Sequence, residues 1–341
     1  MSKLFSELKV KDLILKNRIV MAPMCMYEAS TDGFPSLFHT IHYANRAIGG
    51  VGLIIVEATA IEPRGRISPN DLGLWSDEHI EPLSHLVKEI KRYGAKVGIQ
   101  LGHAGRKCGV KNENLISPSS IQFSEKYPLP KEMTKEDITT VIDAFKNATL
   151  RAYKAGFDII EIHAAHGYLI NQFLSPLTNT RHDEYGGNIK NRTRFLHEII
   201  QAIKDVWPNE KPLMIRISAE DFKEGGNHVE DLIEIIKLIK EDIDIVDVST
   251  GGVVSDAIIN TYPGYQITYA EKIRQATNLL TIAGGLIENA YMAEEIISNN
   301  RSDLVFLGRE LLRNPYFPLQ AAQKLQVEVE WPKPYIRSKK Y

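Results

Sequence analysis

Apolar positions along the chain follow two patterns that predict alternating strands and helices. Eight short runs rich in valine and isoleucine are apolar at successive positions, which indicates strands buried on both faces of a parallel sheet. The predicted strands span residues 18–21, 51–57, 96–101, 158–163, 213–217, 243–248, 280–283 and 303–307. Longer segments between them have helical spacing, and the predicted helices include residues 78–93, 135–155, 191–206, 229–240, 269–276 and 290–298.

Polar and glycine-rich clusters follow nearly every predicted strand, and this distribution decides between two folds. An open doubly wound sheet would concentrate its site at one switch point, whereas a closed barrel assembles its site from many strand ends. The pattern therefore predicts an α/β protein with a (β/α)8 TIM barrel. We expect one domain over residues 1–341, with long active-site loops at 102–133 and 175–188 and an extended C-terminal tail at 327–341.

Composition and charge exclude several classes of protein. The chain has 341 residues and a net charge of −2, without the basic excess that binding to nucleic acid or a membrane surface requires. No apolar run reaches the ~20 residues of a membrane span, and the N-terminus becomes charged too early for a signal peptide. Cys25 and Cys108, the two cysteines, provide neither a disulfide framework nor a Cys-x-x-Cys motif. We expect a reduced, cytoplasmic protein.

Glycines follow the last two predicted strands, where barrels often bind a phosphate group. The chain reads Gly284-Gly285 after the seventh strand and Gly308-Arg309 after the eighth. Glycine allows the backbone to approach an anion, and arginine supplies a bidentate donor. The pattern favours a phosphate site, although the glycines alone would also suit tight turns. Whether the phosphate belongs to a cofactor or to a substrate is open at this point.

Two histidines, His163 and His166, stand three residues apart where the fourth predicted strand ends. A metal site would need a third ligand and a general base, and no His-Glu-x-x-His arrangement is present, so we predict no metal. The pair can instead aim two N–H donors at one carbonyl oxygen, a contact that strengthens as the oxygen gains charge. Two structural histidines are the alternative. Tyr168 follows within reach as a proton donor, or as a packing residue.

Gln100 and Arg216 end the third and fifth predicted strands. An amide and a guanidinium buried at the mouth of a barrel need polar partners, and a heteroaromatic ring with carbonyls and ring nitrogens would provide them. Each could also be a hydrogen-bonded residue of the core. Together with the phosphate loops, they indicate a long ligand that has a phosphate at one end.

These residues lie within strings that resemble the Old Yellow Enzyme family of flavin ene-reductases, in its bacterial NADPH dehydrogenase branch. The resemblance runs from residue 4 to the C-terminal tail. Its most specific strings are LKNRIVMAPMCMY at 15–27, QLGHAGRK at 100–107, EIHAAHGYL at 161–169, DEYGG at 183–187 and FLGR at 306–309.

The resemblance implies a bound FMN and a set of residues around it. The FMN would be held through Ala22, Pro23, Met24, Cys25, Ala58, Gln100 and Arg216, with its phosphate near Gly284, Gly285, Gly308 and Arg309. It also implies that Cys25 tunes the redox potential of the flavin. The substrate oxygen would meet His163 and His166, and Ala164 and Ala165 between them would also bind the substrate. Tyr27 and Tyr168 would shape the pocket.

The family further implies a homodimer or homotetramer in which Arg337 reaches a neighbouring subunit's active site. NADPH would supply hydride in a ping-pong reaction that reduces the activated C=C bond of an unsaturated carbonyl or nitro compound, a detoxifying activity. Tyr168 or water would supply the proton. Two rivals remain: an FMN-barrel tRNA-dihydrouridine synthase, which the charge balance disfavours, and a flavin-free lyase or isomerase with a phosphate-binding barrel.

Overall fold

The computed structural model describes residues 2–111 and 113–339. Met1, Asn112, Lys340 and Tyr341, which belong to the predicted domain and in part to its tail, lie outside the described residues. The strands are β1 (Leu8–Val10), β2 (Leu13–Leu15), β3 (Ile19–Met21), β4 (Leu53–Ala60), β5 (Leu72–Gly73), β6 (Lys96–Gly102), β7 (Ile116–Ser117), β8 (Lys131–Glu132), β9 (Ile159–Ala164), β10 (Leu213–Ser218), β11 (Ile245–Ser249), β12 (Leu280–Ala283) and β13 (Leu304–Leu307). The helices are α1 (Leu37–Ile48), α2 (Ile80–Arg92), α3 (Lys135–Ala155), α4 (Leu169–Leu174), α5 (Ile189–Lys204), α6 (Val229–Ile239), α7 (Ile267–Thr277), α8 (Ala290–Ser298), α9 (Arg309–Arg313) and α10 (Phe317–Lys324).

Eight parallel strands close into a barrel, in the order β3, β4, β6, β9, β10, β11, β12 and β13. The ring closes where β3 pairs with β13 on one side and with β4 on the other, with Val20 opposite Leu53. The first and last residues of each of the eight predicted strands differ from the observed ones by at most three positions. The predicted (β/α)8 barrel is therefore confirmed.

All six predicted helices are present, and α3 and α8 have the predicted bounds. Helix α3 begins at a capping box, in which the side chain of Thr134 accepts from the backbone N–H of Asp137 at 3.1 Å. The pattern did not indicate α4, a short helix whose six residues are all buried, Asn171 and Gln172 included. Among residues 2–111 and 113–339, no helix combines the length and apolar character that crossing a membrane requires.

Side chains inside the barrel change character from one end to the other. Successive residues of a strand point to opposite faces, so every second residue of β9 faces inward. Ile159 belongs to the inner apolar cluster, and Ile160 and Ile162 belong to the cluster that packs against the helices. Above Ile159, the inward positions of β9 are Glu161 and His163, both buried. The interior is therefore apolar at the amino ends of the strands and polar at their carboxyl ends.

The amino-terminal hairpin covers the apolar end of the barrel. Strands β1 and β2 pair antiparallel, and Val10, Leu13 and Leu15 pack with the inner cluster. The backbone N–H of Asp12 donates to the carbonyl of Glu210 at 3.1 Å, beside the start of β10. Because this end is packed shut, the interior can open to a ligand only at the carboxyl ends of the strands.

The sequence predicted an extended C-terminal tail, but the tail is helical over part of its length. Lys333–Ser338 forms a 3-10 helix, because Pro334 stands in its first turn, where the fixed backbone angle of proline suits a helix and its missing N–H costs nothing. The helix lies against α10, with the ring centroids of Tyr335 and Tyr316 5.8 Å apart.

Candidate active site

Three neighbouring strands, β9, β10 and β11, bring polar side chains to one end of the barrel. The registers pair Arg216 of β10 with His163 of β9 and with Asp247 of β11. One inward step nearer the carboxyl end, Ser218 pairs with Ser249. The parallel register thus places the predicted residues at neighbouring positions around a common opening.

The two histidines at the end of β9, His163 within the strand and His166 just after it, come together as predicted. Their ring centroids lie 5.2 Å apart and the ring planes are nearly perpendicular, at 85°. The backbone N–H of Ala165 donates to Nδ1 of His163 at 3.4 Å, which leaves the proton of a neutral His163 on Nε2. Nε2 of His166 lies 2.7 Å from Oγ of Ser249. If this hydroxyl donates to Nε2, the ring N–H of His166 is at Nδ1, and each histidine keeps one N–H for a ligand.

Both histidines are held in their neutral form. Burial lowers the pKa of His163 and of His166 well below the ordinary value, and the nearby charge of Arg216 lowers both further. Neutral imidazoles do not add charge to the pocket, but they still donate hydrogen bonds. No group of three or more His, Cys, Asp or Glu side chains in the described part of the chain is arranged to hold a metal ion.

The backbone around His166 is unusual and is fixed from several sides. His166 has φ 59°, a left-handed conformation that is uncommon for residues other than glycine. Its N–H donates to Oγ of Ser218 at 2.8 Å, and its carbonyl accepts from Nζ of Lys107 at 2.9 Å. Gly252 packs so closely that a Cβ there would lie 2.8 Å from the backbone of His166. These contacts determine where the imidazole of His166 points.

Lys107 was not among the predicted site residues, although it lies in one of the family strings. Its ammonium also donates to the carbonyl of Gly252 at 3.2 Å. It lies over the rings of Phe123 and Tyr168, at 4.5 and 4.9 Å from their centroids. Burial lowers the pKa of Lys107 to about 8. In the sequence, Lys107 is simply a second basic residue after Arg106 in a loop. Nothing in the local pattern indicates a contact with His166, 59 residues further along the chain.

Tyr168 stands beside His163, with ring centroids 4.9 Å apart. Both side chains line a small cavity of about 10 Å³ together with Ala58 and Gly102. Burial raises the pKa of the Tyr168 phenol above its ordinary value, so the hydroxyl keeps its proton at neutral pH. Its position is compatible with the predicted role as a proton donor.

Gln100 and Arg216 lie one layer deeper and have buried partners. Nε2 of Gln100 donates to Oε1 of Glu161 at 2.6 Å. Nε of Arg216 lies 3.1 Å from Oδ2 of Asp247, and its guanidinium carbon lies 4.9 Å from the centroid of the Phe306 ring. Glu161 and Asp247 escaped the sequence analysis because each stands between two apolar residues inside its strand and not at the strand's end.

A cavity of about 170 Å³ opens at the ends of β12 and β13. Arg216, Gly285, Gly308 and Arg309 all line it. Arg309 has no ion-pair partner among residues 2–111 and 113–339, so a basic group is available to an anion there. Gly284 does not line the cavity.

Gly284 instead makes room for an aromatic ring. A Cβ at this position would lie 2.1 Å from the Phe306 ring, the same ring that lies against Arg216. In this structure Gly284 therefore contacts the barrel interior and Gly285 contacts the cavity. The predicted role of Gly284 at the phosphate stays a prediction.

The loop after β3 meets the ends of the neighbouring strands. The N–H of Ala22, just before Pro23, donates to the carbonyl of Leu307 at 3.1 Å, and Met24 approaches Gly308. The backbone of Ala58 hydrogen-bonds the Cys25 thiol, whose pKa is raised by burial. These contacts place the loop between the cavity at β13 and the end of β4.

A buried carboxylate that the sequence analysis missed anchors the same loop. Oε2 of Glu57 accepts from the N–H of Met26 at 2.7 Å, and Oε1 accepts from the Tyr43 hydroxyl at 3.1 Å. Tyr27, the next residue, has φ 56° and is half exposed. Its side chain is therefore open to an incoming ligand.

Arg337 is separated from this constellation within its own chain. It is exposed on the 3-10 helix of the tail and has no ion-pair partner in the described part of the chain. The tail lies beside α10 and the amino-terminal ends of strands, near Lys16 and Gly50. Arg337 does not complete the site of the subunit that carries it.

Nearly the whole chain has counterparts among known oxidoreductases. A family model described as NADH:flavin oxidoreductase / NADH oxidase matches residues 3–328. The NADPH dehydrogenase of Clostridium acetobutylicum is 56% identical over 337 residues, which cover 98% of this chain and 99% of that protein. The NADPH dehydrogenase of Bacillus subtilis is 51% identical over 337 residues, which cover 98% of each protein. Among solved structures, morphinone reductase is similar with a TM-score of 0.81 and 28% identity, covering 98% of this chain and 92% of that one.

Proposed function

Because the chain belongs to the NADH:flavin oxidoreductase / NADH oxidase family, the family of the bacterial NADPH dehydrogenases, we propose that it reduces activated C=C bonds by a ping-pong mechanism. It is an oxidoreductase with FMN as cofactor and NADPH as co-substrate. The finer proposal covers the substrate class, the order of the half-reactions and the residues that act. The observation that carries it is the pair of neutral histidines, His163 and His166, whose ring centroids lie 5.2 Å apart. They lie beside Gln100 and Arg216, which could hydrogen-bond FMN.

The residues present fit FMN. Arg216 and Arg309 line the cavity of about 170 Å³ with glycine backbone between them, which suits a phosphate. Nε of Arg216 has no well-directed hydrogen bond, and Gln100 uses its N–H on Glu161, which leaves its amide oxygen as an acceptor. Ala22, Pro23, Met24, Cys25 and Ala58 would contact the ring from the side of β3 and β4. Bound FMN supplies hydride transfer between NADPH and the second substrate.

His163 and His166 act by binding the oxygen of the second substrate, and Ala164, the last residue of β9, and Ala165 connect them. Two N–H donors on one oxygen bind more strongly as negative charge develops there, so they stabilise the transition state more than the ground state. Because both rings are neutral, they transfer no proton to the substrate and need not be reprotonated between turnovers. Ser218 and Lys107 hold the backbone of His166 in place, and Ser249 holds its ring.

Tyr168 holds a proton beside the carbon next to the polarised carbonyl. Its raised pKa makes the phenol a weak acid, and a positioned acid usually contributes ~10²–10⁴-fold. Water is an alternative donor. Tyr27 would limit the pocket on the exposed side.

Cys25 would adjust the redox potential as a neutral thiol. Burial raises its pKa, so no thiolate forms at neutral pH, and a nucleophilic role would require one. The proposed partners are a small-molecule substrate and further copies of the chain, with Arg337 of one subunit reaching the pocket of another. A cytoplasmic, detoxifying role and a single domain over the whole chain belong to the same proposal.

Anaerobic rapid mixing of the purified protein tests the proposal. We expect a yellow protein whose flavin is reduced faster by NADPH than by NADH and is then reoxidised by enones, maleimides, nitroesters or quinones. Double-reciprocal plots should be parallel, as a ping-pong mechanism requires. A colourless protein would favour the lyase or isomerase, and a reduced flavin that reacts only with tRNA would favour the dihydrouridine synthase.

A further inference from the structure

Four buried side chains form a row across the barrel, one layer below the pocket. Gln100, Glu161, Asp247 and Arg216 come from β6, β9, β11 and β10, and their exposures are 1%, 0%, 2% and 7%. Gln100 donates to Glu161 at 2.6 Å, the carboxyl groups of Glu161 and Asp247 are close enough to interact, and Asp247 pairs with Arg216 at 3.1 Å. The two side chains proposed to face the flavin are thus joined beneath it by two carboxyl groups.

The two carboxyl groups need a shared proton. Two carboxylates are both acceptors, so they can hydrogen-bond only when one is protonated. Oε2 of Glu161 and Oδ1 of Asp247 have no donor among residues 2–111 and 113–339, and one proton would satisfy this requirement. Burial raises the pKa of both carboxyl groups, that of Glu161 well above its ordinary value, and the charge of Arg216 opposes the rise at both. Asp247 is the carboxyl group in direct contact with Arg216, at 3.1 Å, so the negative charge is on Asp247. The row therefore contains a neutral Glu161, an anionic Asp247 and a cationic Arg216.

We propose that Glu161 and Asp247 set the reduction potential of the flavin by fixing how much of the charge of Arg216 reaches the ring. They are positioning residues, since they act through Gln100 and Arg216. The inference rests on the proposed function, which places these two side chains against FMN. The reduced ring carries more negative charge than the oxidised ring, so an uncompensated Arg216 would favour reduction. The single negative charge of the pair offsets this effect.

Because the two carboxyl groups share one proton, the pair keeps its single negative charge when one of them is replaced by an amide. It loses that charge when both are replaced. In Glu161→Gln, Asp247 remains the counter-ion and the new amide can still donate to it. In Asp247→Asn, Glu161 can lose its proton and supply the negative charge. Only the double variant, Glu161→Gln with Asp247→Asn, leaves Arg216 without an anion. Asp303→Asn is a matched control, because it removes a buried carboxylate from an arginine, Arg274, at the opposite end of the barrel.

The experiment measures the midpoint potential of the flavin in the wild-type holoenzyme and the four variants. We expect each single variant and the control to change the reduced-to-oxidised ratio less than threefold. We expect the double variant to raise it at least tenfold, a positive shift of about 30 mV for a two-electron couple. A double-variant shift that equals the sum of the singles, or is negative, overturns the inference.

Wild type and the single variant Glu161→Gln provide a second measurement if the double variant does not fold. Infrared spectroscopy of the holoenzyme at neutral pH should show the C=O band of a protonated carboxylic acid that Glu161→Gln removes. A wild-type spectrum without such a band overturns the inference. FMN bound normally with either negative result leaves the proposed function standing, whereas a wild-type protein that binds no FMN overturns both.

Discussion

The turn after β9 and the C-terminal tail both carry residues expected to meet the substrate, but the fold holds them in different ways. His166 is fixed through its backbone by Ser218 and Lys107, and through its ring by Ser249. The tail lies beside an open groove of about 1610 Å³ and is held by a ring contact between Tyr335 and Tyr316 and by an ion pair of Lys339.

This difference separates two kinds of binding residue. A side chain that must meet a developing charge needs a fixed position, because misplaced donors stabilise the transition state poorly. A side chain that approaches a ligand from outside can be mobile in the free protein and become ordered on assembly. We therefore expect substitutions in the turn to affect the chemical step, and substitutions in the tail to affect substrate affinity.

The largest effect should come from the histidines. His163→Ala or His166→Ala removes one N–H donor and should slow flavin reoxidation by an enone ~10²–10³-fold, since an oxyanion donor contributes ~2.7–4 kcal/mol. Flavin reduction by NADPH should change far less. Stopped-flow absorbance separates the two half-reactions, and His85→Ala, on the exposed face of α2, is the control. Equal slowing of both half-reactions would contradict an oxygen-binding role.

Gly252→Ala should disturb the same turn without removing a functional group. Gly252 has φ 91°, and its new Cβ would lie 2.8 Å from the backbone of His166, so the turn must move. We expect reoxidation by an enone to slow ~10-fold or more while FMN remains bound. Gly187→Ala is the matched control, because Gly187 also has positive φ, at 84°, but its Cβ would meet nothing within 4 Å. Similar rates for the two variants would mean that the close approach at Gly252 is unimportant.

Lys107→Met should have a smaller effect on the same half-reaction, about three- to tenfold. The variant keeps the length of the side chain but removes the bond to the carbonyl of His166, a charge-assisted bond of about 1.5–3 kcal/mol. Lys211→Met is the control, since Lys211 also donates to a carbonyl, that of Phe157, and lies over an aromatic ring, but beside β10's start.

The pH dependence of Lys107 gives the same prediction a second test. Its pKa is lowered to about 8, so the charged form that holds His166 is lost as the pH rises through 8. Flavin reoxidation in wild type should decline there, and Lys107→Met should lack this limb. Between this pKa and the ordinary ~10.4, the unfolded chain binds more protons than the native one, so stability should instead rise with pH. A wild-type profile that is flat between pH 7 and 9.5 would contradict the assignment.

The sequence predicted the barrel and the strand ends more completely than the contacts between loops. Strands and their polar ends follow from local pattern, which is why His163 and Arg216 could be placed at one opening. Asp247 looked like an isolated polar residue because its partners lie on other strands. Lys107 meets His166 only through the path of a long loop, which no local pattern encodes. Pro334 was consistent with either an extended tail or the first turn of a helix.

The smallest predicted effect concerns the tail. Truncation after Pro332, or Arg337→Ala, should raise the KM for enones several-fold and leave FMN bound, because a guanidinium near the substrate adds affinity but takes no part in holding the cofactor. Lys333→Ala, which removes an exposed cation from the same segment, is the control. Truncation should also weaken the oligomer on a sizing column.

Mixed oligomers show whether Arg337 acts in its own subunit or in a neighbour. A subunit with both His163→Ala and His166→Ala has no working site of its own but keeps a wild-type tail. Co-expressed with Arg337→Ala subunits and purified through a different tag on each, it should restore the wild-type KM to a fraction of the sites. Arg337 is exposed and distant from the site of its own chain, so rescue has to come from the neighbour's tail. Mixed oligomers with the KM of Arg337→Ala alone would show that the tail is not shared.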